Sequence, residues 1–256
     1  MLILLSPAKK QHIPVALPPA LQGISISTRS FLSQTQMLIA QLKTFSPQGL
    51  SHLMGISHTL ADLNWQRFQA FGHLTNPTAP ALFAFQGEAY QSLEANTFSP
   101  QDLAFATAHL RILSGLYGLL RPLDAIELYR LEMRTPLSHP QGKDLYALWR
   151  PLLSLALHQD PESHLLINLA SEEYANALNR TLLKSPVIDI CFQTQRHGKR
   201  QTIGILAKRA RGRMARYLIQ TRASTLEDLY GFNDNGYAYQ PELSSSTQKV
   251  FVRPDL

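Results

Sequence analysis

Leu110-Arg111-Ile112-Leu113-Ser114-Gly115-Leu116-Tyr117-Gly118-Leu119-Leu120-Arg121-Pro122-Leu123-Asp124 is the stretch on which the architecture of this chain turns. Just upstream, Ser99-Pro100 supplies an N-cap and a first-turn proline, and a helix is predicted from Gln101 to Leu113. Gly115 and Gly118, three apart, permit positive φ and leave room for a phosphate to approach backbone N–H groups. The segment reads as a helix, a tight Gly-x-x-Gly hairpin, and a second helix or extended exit. Such a hairpin can hold a nucleic-acid backbone without reading bases, with Arg111, Gly115 and Gly118 as candidate DNA contacts. A plain structural turn is the alternative.

Outward from that segment, the chain alternates between strand and helix patterns. Met1 to Leu5 is a continuous apolar run, expected of a strand covered on both faces. Helices are predicted over Phe31–Leu42, over Pro47–Met54 with Ser46 as cap, and from Ser57 to about Phe71. Ala81 to Phe85 fits a short strand or a buried turn of helix. Strands are predicted at Leu165–Leu169, Val187–Phe192 and Thr202–Leu206, the last two flanking a turn at Arg196-His197-Gly198-Lys199. Glu172–Asn179 and Lys208–Arg222 read as helices, and Val250-Phe251-Val252 as an edge strand. The sum is an α/β, mixed α+β, fold: a single domain over residues 1–256 with a central mixed sheet wrapped by helices.

Composition limits the function classes. Hydrophobic residues make up 45% and charged residues 16% of 256, enough for a large core and unlike a disordered or fibrous chain. One cysteine, Cys191, cannot form an internal disulfide, and the short run ending at Ser6-Pro7 lacks the features of a signal peptide. No apolar run is long enough to span a membrane, so a cytoplasmic location without membrane association is expected. The net charge is +6, and its distribution is uneven. Between Asp189 and Glu227 there is no acidic residue, whereas nine Lys and Arg fall in that interval. A solvated helix normally interleaves acids with its cations, so the imbalance points to a polyanionic partner. Lys208, Arg209, Arg211, Arg213 and Arg216 on the predicted helix are candidate contacts to double-stranded or distorted DNA, made through phosphates.

Several short motifs recur in one order along the chain: Leu4-Leu5-Ser6-Pro7-Ala8-Lys9, Leu113 to Asp124, Tyr129-Arg130-Leu131-Glu132-Met133, Gly142-Lys143-Asp144-Leu145-Tyr146, Ile167 to Tyr174, Ala207 to Gly212, and Gly231-Phe232-Asn233. In that order they resemble the YaaA family of bacterial peroxide-stress proteins (UPF0246, DUF328). The resemblance implies a cantaloupe-like fold with a helix-hairpin-helix element, DNA binding in a positive cleft, and a role in oxidative stress that limits free intracellular iron.

An enzyme acting on a nucleotide-like or other anionic small molecule is the alternative. Lys9 beside Ser6, just after the first strand, is placed to hold a phosphate or carboxylate, with Arg130 as an anion clamp and Glu132 as acid or base. Asn168 and Ser171 follow another predicted strand, and ligand sites of open α/β sheets gather at such strand ends. No reaction can be assigned from these residues. Nine histidines are present, but no His-x-x-x-His and no Cys-x-x-Cys, so no dedicated metal site and no cofactor are expected.

Overall fold

The computed structural model describes residues 1–21, 24–196 and 198–254. Its main sheet contains strands β1 (Leu2–Leu5), β2 (Leu110–Ser114), β3 (Gly118–Leu120), β4 (Leu166–Asn168), β5 (Val187–Arg196), β6 (Lys199–Gln201), β7 (Ala238–Tyr239) and β8 (Gln248–Arg253). Their spatial order is β7-β8-β5-β4-β1-β2-β3, with β6 paired to β5. β1 is an interior strand and runs parallel to both neighbours, β2 and β4. Its residues are at most 1% exposed, which is why the run could be apolar without alternation. The helices are α1 (Leu32–Lys43), α2 (Pro47–Met54), α3 (His58–Ala70), α4 (Glu88–Leu93), α5 (Pro100–His109), α6 (Leu145–Gln159), α7 (Glu172–Ala175) and α8 (Gly204–Gln220). The mixed α/β expectation is met.

Local signals placed the early helices well. Ser46 and Ser57 each accept a hydrogen bond from a first-turn N–H of α2 and α3, and left-handed Gly55 ends α2. Ala81–Ala84 is a buried turn of helix.

Four expectations need correction. The helix predicted through Leu113 stops at His109, because Leu110, Arg111 and Ile112 pair in parallel with Ile3, Leu4 and Leu5. The Gly-x-x-Gly segment is therefore a buried β-hairpin, β2–β3, and not two helices around a turn. Ser114 Oγ accepts the N–H groups of Leu116 and Tyr117 and closes it. The strand predicted at Thr202–Leu206 falls earlier, at β6, and Gly204 already opens α8. Residue 197 of the expected turn lies outside the described residues; Gly198 takes φ +75°, as that turn required. Glu172–Asn179 forms helix only to Ala175. Val250–Val252 is interior, since β8 lies between β5 and β7. Sequence reading also missed α6, which Asp144 caps and which tolerates Pro151 inside.

Candidate functional site

Chain connections leave β1 toward β2 on one side and β4 toward β5 on the other, so the gap between these adjacent parallel strands is a topological switch point. Ligand crevices of open α/β sheets lie outside the carboxyl ends of such strands. Here the exits are Ser6 to Lys9 after β1 and Leu169 to Ser171 after β4. Ser6 Oγ accepts the Ser171 N–H at 2.8 Å and donates to Ser171 Oγ at 3.2 Å, stitching the two turns together. The Tyr90 hydroxyl donates to the Ser6 carbonyl at 2.9 Å and brings α4 to the same place. A cleft of about 680 Å³ opens there, and Ser6, Lys9, Arg130, Glu132 and Ser171 all line it.

Glu132 organises the charged wall. Its carboxylate lies 2.7 Å from Lys9 Nζ, 3.0 Å from Arg130 and 3.8 Å from Arg134. Burial alone would raise its pKa, but hydrogen bonds and charge from Lys9 and Arg130 outweigh that and hold it below the ordinary value of 4.5. Glu132 is thus ionised at neutral pH, an anchor for cations and a poor general acid. Its stabilising effect is in full force above the unfolded-state pKa and fades as pH falls through the lower folded value. Glu132→Gln should therefore cost more stability at pH 7 than at about pH 3, read from denaturant midpoints at the two pH values. An equal gap at both would mean that this ion cluster contributes nothing to stability.

The basic helix contributes to the same cleft. Lys208 and Arg211 line it from α8. Among the described residues Arg211 forms no ion pair, and its Nε is buried without a hydrogen-bond partner. Burial, the larger influence, pulls its pKa below the ordinary guanidinium value, while the Cys191 thiol opposes that shift. α8 reaches the cleft because Gly212 lets it touch α4: a Cβ at that position would meet the Ala89 carbonyl oxygen at 1.9 Å.

The other predicted DNA contacts are occupied. Arg209 pairs with Glu88 and Arg213 with Asp234, and Arg216 donates to the Leu93 and Glu94 carbonyls beneath the end of α4. The fold supplies from other segments the acids that the local sequence lacks. Arg111 is 4% exposed and bonded by Nε and Nη2 to Asp160 at 2.9 and 2.7 Å. Gly115 and Gly118 are buried, closed off from any phosphate. Gly118 does have φ +72°, but the group packed on it is the Trp149 ring. Asn168 sits outside the cleft lining: it donates to Asp189 and accepts the Ala170 N–H, shaping the turn that presents Ser171. Sequence reading missed Tyr90, Arg134 and Glu173 as lining residues, and placed Arg211 on a separate surface. Among the described residues no group of three His, Cys, Asp or Glu is arranged to hold a metal ion, and no helix is long and apolar enough to cross a membrane.

Comparison with known proteins gives a consistent result. Residues 1–243 match the family model described as peroxide stress protein YaaA. A UPF0246 protein of Magnetococcus marinus is 48% identical over 258 residues, covering 99% of each chain. One from Acaryochloris marina is 44% identical over 256 residues, covering 99% of this chain and all of its own, and one from Tolumonas auensis is 42% identical over 260 residues, covering all of this chain and 98% of its own.

Proposed function

The chain belongs to the YaaA family of peroxide stress proteins, and we propose that it serves that response by binding phosphate groups in the switch-point cleft between β1 and β4. The observation that carries this is Arg211, a partly desolvated guanidinium with, among the described residues, a partnerless Nε and no carboxylate of its own, facing a cleft that Lys9 and Lys208 also line. A guanidinium in that state gains more from a phosphate than one already paired.

Double-stranded or distorted DNA is the partner this favours beyond the cleft, with phosphates as the contacts. Lys208 is exposed at the rim, and Arg196, Lys199 and Arg200 are exposed on the β5–β6 hairpin. The helix-hairpin-helix implied by the family fits α2 and α3, joined through left-handed Gly55, better than it fits β2–β3. Limitation of free iron is then a downstream consequence of ligand binding.

The test is the salt dependence of duplex binding, followed by fluorescence anisotropy. Removing one cation that touches a phosphate should flatten the log–log slope by about 0.9. Lys208→Ala with Arg211→Ala should weaken binding at least about tenfold and flatten the slope by about twice that amount. Arg213→Ala, whose guanidinium is held by Asp234, should leave the slope alone. Unchanged affinity and slope in the double variant would remove the cleft from the DNA surface and leave the proposal without support.

A further inference from the structure

The cleft is built for more than a phosphate. Six cationic side chains line it against three acidic ones, which suits a dianion. Its remaining wall is of a different kind. Tyr90, Tyr129 and Tyr174 line it together with Leu131 and Leu169. A bare phosphate or a paired DNA backbone has nothing to offer such a surface, because its contacts are ionic and its sugars are polar. Amide groups line the cleft as well. The Gln86 amide donates to the Phe83 carbonyl, while the side-chain amide of exposed Gln91 is bonded to no described residue and has both a donor and an acceptor to offer. The volume of about 680 Å³ lies in the range of sites that enclose a small organic ligand.

We propose that the cleft binds a nucleotide, with its phosphate on the Lys9, Lys208 and Arg211 wall and its base against the tyrosine-lined wall. This inference rests on the phosphate-binding function proposed above and adds the base to it. A heteroaromatic base presents a π-face to aromatic and aliphatic side chains and a hydrogen-bonding edge to an amide, and both are found beside the cations. A carboxylate ligand would leave the excess of cations unmatched. The same chemistry is available from two sources, a free mononucleotide or an unpaired nucleotide of a DNA strand.

The full-length protein can be titrated calorimetrically with AMP, GMP, CMP and UMP, and in parallel with ribose 5-phosphate and inorganic phosphate. In a second arm, anisotropy compares a duplex carrying one unpaired nucleotide with the fully paired duplex. The expected result is at least a tenfold preference for one mononucleotide over ribose 5-phosphate, or for the unpaired duplex over the paired one. Whichever arm shows the preference identifies the source. Gln91→Ala, a surface change that leaves the core untouched, should cut the preference at least threefold with inorganic phosphate binding unaltered. If ribose 5-phosphate and inorganic phosphate bind but neither preference reaches tenfold, the base has no site and the inference fails while phosphate binding stands. If no phosphate compound binds, and Arg211→Ala changes duplex binding by less than twofold, phosphate binding itself falls and takes the nucleotide with it.

Discussion

Gly118→Val should cost about 4 kcal/mol of folding stability, a large share of what holds an ordinary domain folded. Two costs add at this position. Its φ of +72° is a conformation that a β-branched residue rarely adopts, with a penalty of roughly 1–3 kcal/mol. A Cβ there would also lie 2.4 Å from Cζ3 of Trp149, and forcing extra atoms into a packed core costs roughly 1–3 kcal/mol more. The indole cannot swing aside cheaply, because it is fully buried and its Nε1–H donates to the Gly115 carbonyl at 2.9 Å. Alanine already introduces the offending atom, so Gly118→Ala should show most of the loss. Combining Gly118→Ala with Trp149→Leu should cost less than the two single changes summed, measured by urea denaturation. A Gly118→Val protein with a native denaturation midpoint would show that the hairpin is not held against Trp149.

The second large effect is expected at Gly212, where loss of stability and loss of binding should appear together. The nearest obstacle to a Cβ is the backbone carbonyl of Ala89, so α8 must move away from α4 as a body. Gly212→Ala should cost about 3 kcal/mol, near the upper end for overpacked sites, despite the better intrinsic helix propensity of alanine. Lys208 and Arg211 ride on the same helix, so phosphate and duplex affinity should fall at least about tenfold in whatever protein still folds. Gly204→Ala provides the control. Nothing lies within 4 Å of its added Cβ, and the substitution should be neutral or stabilising by up to about 1 kcal/mol. If the two alanine variants melt alike, the α4–α8 contact does not position the cleft.

What could be read without coordinates followed the range of the interactions involved. α2 and α3 were legible because Ser46, Pro47, Gly55 and Ser57 act within one turn of themselves. Leu110–Asp124 was misread because an apolar run of that length satisfies a helix or a buried strand equally, and pairing with Leu2–Leu5 decides between them. The cleft was half legible. Ser6, Lys9 and Ser171 follow strand ends, and strand ends converge in this class of sheet, whereas Arg211 looked like one cation among six on a predicted helix. Nothing near it in sequence says that Glu88 and Asp234 neutralise its neighbours and leave it without an ion pair among the described residues.

The position of β1 also sets a timetable. It precedes every other strand of the main sheet in the chain, yet its second neighbour, β4, ends at Asn168. At about 5–20 residues per second, synthesis of the intervening chain takes roughly 8 to 30 seconds. Through that interval Leu2–Leu5 has one side of its backbone without a partner, and a nascent chain cut short before Asn168 never acquires it. Such fragments carry an open apolar edge on a strand that the finished sheet covers on both sides, the feature that draws strands of separate chains together. Synthesis stalled before β4 should therefore yield more aggregate than synthesis stalled beyond β5, where β1 and β4 each have both neighbours.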